Sequence, residues 1–212
     1  VSTGFDRRTP NRGDERRAAL LAALDGLLLA GEGLASITIA DVARRAGVTR
    51  SAFYFYFPNL PMAVAALVEP LYDDASSATE LLLDAQTPPS QRITSMITVL
   101  FDSIDRHGYA FRAALEARAA DPDLRTVWEE GRDDYARQVA RMITAERRAG
   151  NAPAGADARA LASMLLELND RAVERYALGS TRPRKHQVAA LASIWLRSVY
   201  GTDPTPSSRS TR

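Results

Sequence analysis

From Asp14 to Tyr200 the apolar residues return at three- and four-residue intervals, and the runs stop at glycines or prolines. That period belongs to helices that bury one face, and no segment alternates convincingly as a half-buried strand does. The fold class expected is all-α, with about nine helices. The first runs over about 14–30, with Leu20, Leu21, Leu24, Leu27 and Leu28 on one face and Gly31 and Gly33 to stop it. Two short helices follow, over about 39–46 and 50–56. The stretch 59–84 is helical in pattern but contains Pro70, which must kink or divide it. Later helices read at about 90–106, 109–119, 122–149, 156–178 and 184–200, with one break at His107-Gly108. Residues 1–13 read as a flexible basic arm, and 202–212, rich in proline and serine, as a disordered tail.

Composition removes several function classes. The chain has no cysteine, and its two histidines, His107 and His186, are far apart, so thiolate chemistry and a histidine-built metal cluster are not expected. Di-iron bundles need Glu-x-x-His pairs, but Ile104 and Pro183 stand three residues before the histidines. No Gly-x-Ser-x-Gly nucleophile motif occurs. No catalytic residue, metal or cofactor is therefore expected. The longest strongly apolar stretch, Ala18 to Ala30, is too short for a bilayer and contains Asp25, and no signal-peptide pattern opens the chain. A soluble, cytoplasmic protein is the expectation. With 212 residues, 46% of them hydrophobic, there is enough material for one medium domain or two small ones.

The segment Thr38 to Phe57 carries the chemistry. Thr38 can cap a helix with Asp41 three residues on, Gly47 allows a tight turn, Thr49 can cap a second helix, and Pro58 ends it. Two short helices joined in this way have the spacing of a helix-turn-helix, whose second helix enters the major groove of DNA. Phe53 and Phe57, four apart, give the second helix an inward face. Thr49, Arg50, Ser51, Tyr54 and Tyr56 are left to reach phosphates or base edges, with Thr38 and Arg45 on the bracing helix. The formal net charge of +1 does not oppose this reading. Residues 1–60 hold eight arginines and six acids, and Arg44, Arg45 and Arg50 cluster locally, with arm arginines available to a neighbouring groove.

These residues resemble the N-terminal domain of the TetR family of transcriptional regulators. The resemblance covers Arg16 to Leu67 and rests on Ile37-Thr38-Ile39-Ala40-Asp41-Val42-Ala43, Ala46-Gly47-Val48-Thr49 and Phe53-Tyr54-Phe55-Tyr56-Phe57-Pro58. It implies double-stranded operator DNA as partner, Thr49 at the start of the recognition helix and Tyr54 on a phosphate. Asn59-Leu60 departs from the family's usual Ser-Lys, which removes one phosphate anchor.

Further along, Thr144 to Gly150, Leu168 to Arg171 and Ile194 to Gly201 are similar to the mycobacterial ethionamide-activation repressor subgroup of that family. This likeness implies a helical regulatory domain over 61–201, behind a DNA-binding domain over 14–60, with a long apolar pocket. By position, Ile93, Leu100 and Ile104 would line the pocket, Trp128 and Tyr135 would close it, Asn169 and Asp170 would supply polar contacts, and Trp195 would cap the far end. The last two helices would pair between subunits of a homodimer. Their stripes are Leu161, Leu165, Leu168 and Ala172, and Leu191, Ile194, Ser198 and Val199. The function expected is a homodimeric repressor on a palindromic operator, released by a hydrophobic small molecule. The alternatives are a constitutive DNA-binding regulator and, last, a helical-bundle enzyme.

Overall fold

The computed structural model describes residues 12–201; the arm up to residue 11, with Arg7 and Arg8, and the tail 202–212 lie outside the described residues. Nine α-helices and one short 3-10 turn make up the described chain, with no strand among them. They are α1 (Arg12–Leu29), α2 (Ile39–Arg45), α3 (Arg50–Tyr56), α4 (Leu60–Leu67), α5 (Glu69–Leu83), α6 (Pro89–Ala120), α7 (Pro122–Arg148), α8 (Ala158–Ala177) and α9 (Arg184–Tyr200). No helix among the described residues is long and apolar enough to cross a membrane.

The breaks have local causes. Pro70 sits in the first turn of α5, where its missing N–H is not needed, and the chain divides there, with Val68 closing α4 and opening α5. Asp121 starts α7 by accepting from the backbone N–H groups of Asp123 and Leu124 at 2.9 and 3.0 Å. The helices expected at 90–106 and 109–119 are one helix, α6, kinked at His107, whose φ of −125° and ψ of 17° leave the helical region. Gly108 is not itself out of register, so the helix resumes after a single residue.

Two apolar cores lie along the molecule. One gathers Leu20, Leu24, Val42, Phe53 and Val64 from α1 to α4 with Ala113, Ala114 and Ala117 from the second half of α6. The other joins α5 to α9 around Ile97, Phe101, Ile143, Leu165 and Trp195. Leu71 and Trp128 pack against both. Two polar ties also hold the N-terminal helices to the bundle. The Tyr109 hydroxyl donates to Asp25 at 2.5 Å, and burial together with that carboxylate pushes the phenol up to about 12. The Asn59 amide donates to Asp121 at 3.0 Å while its oxygen caps α4 by accepting from Met62 N–H at 2.8 Å. Asn59, which departs from the family's serine, thus still caps its helix.

Candidate DNA-reading face and bundle cavity

The corner formed by α2 and α3 is fixed by short-range hydrogen bonds. Thr38 Oγ1 accepts from Asp41 N–H at 3.2 Å, and the Asp41 carboxylate accepts from Thr38 N–H at 3.2 Å and from its hydroxyl at 2.6 Å. These bonds hold the Asp41 carboxyl below its ordinary range. The same carboxylate pairs with Arg44. Gly47 takes a left-handed φ of 69°, which the turn requires and which a side chain would strain. Thr49 Oγ1 then caps α3 by accepting from Ala52 N–H at 3.2 Å.

The rotation of α3 follows from Phe53 and Phe57, both buried, with ring centroids 5.6 Å apart. Thr38, Arg45, Thr49, Arg50, Ser51 and Tyr54 are exposed, and Arg50 reaches one turn along α3 to donate to the Tyr54 hydroxyl at 3.3 Å. Arg45 lies across Gly26 of α1, so close that a Cβ at Gly26 would stand 2.9 Å from its guanidinium. Tyr56 differs from expectation: it is half-buried against the first core and edge-on to Phe55 at 5.0 Å. Phe55 was missed. It is 82% exposed, and its place between the inward Phe53 and Phe57 puts it on the opposite face of the helix. Arg17 of α1 stacks over Phe57 at 5.4 Å and so braces the core.

In the bundle a cavity of about 160 Å³ opens between α5, α6, α7 and α8. Leu100, Ile104, Trp128, Tyr135, Asn169 and Asp170 line it. Ile93 and Trp195 do not: both are buried in the core away from the lining. Trp195 stands behind α8, where its indole N–H needs an acceptor and finds Asn169 Oδ1 at 3.1 Å. The Asn169 amide donates in turn to Met96 sulfur at 3.7 Å. The buried Asn169 is thus held in one orientation from two sides.

The wall also has a charged end that sequence reasoning largely missed. Arg132 Nε approaches Asp170 Oδ2 at 3.0 Å, and Glu174, one turn after Asp170, accepts from Arg118 at 2.8 Å. Arg118 lies 4.8 Å over the Trp128 ring, and Tyr72 meets that ring at 6.2 Å. Burial pushes the Asp170 carboxyl up to about 6, against the pull of Arg132. Helical spacing was the available signal, because Arg132 follows Trp128 by four residues and Glu174 follows Asp170 by four.

The stripes expected to pair subunits divide between inside and outside. Leu165, Leu191 and Val199 are buried within the subunit, whereas Leu168, Ile194 and Ser198 face out, joined by Met164 at 58% exposure.

Comparison with known proteins accords with this geometry. Residues 93–201 match the family described as the C-terminal domain of the transcriptional regulator EthR, and residues 27–59 match the TetR family of bacterial regulatory proteins. The HTH-type transcriptional regulator EthR of Mycolicibacterium smegmatis is 34% identical over 96% of this chain and 98% of its own. A putative TetR-family regulator from Mesorhizobium loti shares the fold, with a TM-score of 0.65 at 16% identity over 88% of this chain and 97% of its own. So does SmeT, solved as a complex with triclosan, with a TM-score of 0.63 at 21% identity over 90% of this chain and 98% of its own. The chain belongs to the TetR family of transcriptional regulators and carries the EthR-type C-terminal domain.

Proposed function

We propose that the protein works in the cytoplasm as a homodimeric repressor, holds a palindromic operator through two copies of α3, and releases it when an apolar small molecule fills the bundle cavity. One short helix offers few base contacts, so a two-fold pair reading half-sites about 34–36 Å apart, or a multiple of that, is the economical arrangement. The outward residues of α8 and α9, Met164, Leu168 and Ile194, are the apolar surface such a pair would cover.

One observation carries the ligand response: Trp128 lines the cavity and packs against both cores. A molecule entering beside Trp128 displaces a side chain that also packs against the core holding α1 to α4. The division at Pro70 and the Asn59–Asp121 bond supply the joint through which that displacement tilts α3. Ligand then favours a spacing of the two reading helices that no longer matches the operator, and DNA affinity falls by the coupling free energy.

The test begins with selection of a preferred duplex from random DNA by the purified protein. Sedimentation then gives the mass of the free protein, expected at twice 23.1 kDa. Fluorescence anisotropy of the duplex follows while apolar compounds that saturate the cavity are added. Operator affinity unchanged at saturation would end the ligand-response reading, and a monomer at binding concentrations would end the dimer reading.

A further inference from the structure

The chemistry of the cavity wall narrows the effector to one charge class. Its lining is mostly apolar and carries charge only where Asp170 and Glu174 project from successive turns of α8 and Arg132 from α7. That end is also aromatic. Arg118 bonds Glu174 at 2.8 Å and stacks 4.8 Å over Trp128, which fixes the Glu174 carboxylate beside the indole, and Tyr72 closes on the same indole at 6.2 Å. Asp170, Glu174 and Arg132 therefore line the wall, with Arg118 paired to Glu174 behind it, next to aromatic rings that attract cations. The Arg132–Asp170 contact is incomplete as well: Nε lies 3.0 Å from Oδ2, yet is not satisfied as a hydrogen-bond donor.

We propose that the effector is an organic cation, an ammonium group on an apolar body, with the ammonium held by Asp170 beside Tyr72 and Trp128. The inference rests on the ligand-response reading above and adds the charge. Burial outweighs Arg132 at Asp170 and pushes its carboxyl up to about 6, so a further cation there stabilises the ionised carboxylate. A ligand carboxylate would instead meet Asp170 and Glu174, and the guanidiniums beside them, Arg132 and Arg118, are already engaged by those carboxylates. The apolar body would extend along Leu100 and Ile104 toward Asn169.

The experiment uses the full chain and three probes of equal length, octyltrimethylammonium, octanol and octanoate, titrated by calorimetry at pH 7.5. The ammonium is expected to bind at least tenfold more tightly than the alcohol, and octanoate more weakly than both. Asp170→Asn is expected to cut the ammonium-to-alcohol affinity ratio at least fivefold, and Glu174→Gln to cut it less. Equal affinities, or octanoate binding best, would overturn the charge assignment and leave the cavity as a ligand site. An unchanged ratio in Asp170→Asn would overturn the role of that carboxylate. Saturable binding by none of the three would overturn both the charge assignment and the cavity reading. The wild-type series decides the charge class even where a variant folds poorly.

Discussion

The guanidinium of Arg50 donates to the hydroxyl of Tyr54 at 3.3 Å and stands 5.9 Å over its ring, so these two residues form one unit on the exposed face of α3. Tyr54 would hold a phosphate while aiming Arg50 at a base edge. Tyr54→Ala is expected to weaken binding to all duplexes by a similar factor. Arg50→Ala is expected to cost about 1–3 kcal/mol of discrimination at one base position. Because each orients the other, the double variant should lose less than the two single losses added. Anisotropy titrations of a preferred and a scrambled duplex would measure this, and strict additivity would separate the pair.

Gly26 makes a second test of the reading face, from behind. Alanine in the interior of α1 should stabilise the helix by about 0.5–1 kcal/mol relative to glycine. The new Cβ would stand 2.9 Å from the Arg45 guanidinium, which must move. Gly26→Ala is therefore expected to raise the melting temperature and to weaken operator binding if Arg45 touches DNA. A higher melting temperature with unchanged operator affinity would remove Arg45 from the interface.

How far the sequence could be read depended on whether a feature was local. Thr38, Gly47, Thr49 and Pro70 act within a turn of themselves, and their caps, turn and helix break follow from residue type and spacing. The inward Phe53 and Phe57 likewise follow from their four-residue spacing. Rotation of a helix against its neighbours does not. Leu165 and Leu168 belong to one stripe, yet one is 3% exposed and the other 36%, because the stripe is wider than the core it covers. Trp195 reads from sequence as a pocket residue, and only the packing of α9 behind α8 makes it the donor that orients Asn169.

That donor can be tested by stability. Trp195→Phe removes the indole N–H and leaves the oxygen of the buried Asn169 unsatisfied, at a cost of about 1–3 kcal/mol before any packing loss. Asn169→Leu leaves the buried indole N–H without its acceptor and should cost a similar amount. With both groups gone neither is stranded, so the double variant should be more stable than the sum of the single effects implies. Urea denaturation of the four proteins measures the coupling, and its absence would mean the bond does not orient Asn169.

The Arg92 side chain is 2% exposed and donates to Glu146 at 2.5 Å as well as to the Tyr200 hydroxyl, tying α6 to α7 and α9. Taking two charges out of water makes such a pair costly to form and more costly to break. Glu146→Gln should leave the guanidinium without its counter-charge and destabilise the bundle by about 3 kcal/mol. Arg92→Met with Glu146→Leu should recover much of that loss. A small effect of Glu146→Gln in urea denaturation would show that water reaches Arg92.

Asp170 gives the pH dependence its sign. The groups acting on it are Arg132 and Arg118, which favour its ionised form, and Glu174 and Glu167, which oppose it, with burial the largest influence. Its carboxyl ionises near 3.8 when unfolded and at about 6 when folded. The folded state therefore holds this proton more tightly: the stabilisation it brings is complete below about pH 4 and lost as pH rises through 6. Above that, the folded protein carries an ionised Asp170 at a cost. The side chain is 41% exposed, so solvent screening reduces the cost to about 1 kcal/mol. Asp170→Asn, which cannot ionise, should be more stable than wild type by about that amount at pH 7.5, and the advantage should vanish toward pH 4. Melting curves of both proteins across this range are the check. A variant less stable at pH 7.5 than at pH 4, relative to wild type, would mean that the pair with Arg132 outweighs the burial of the carboxylate.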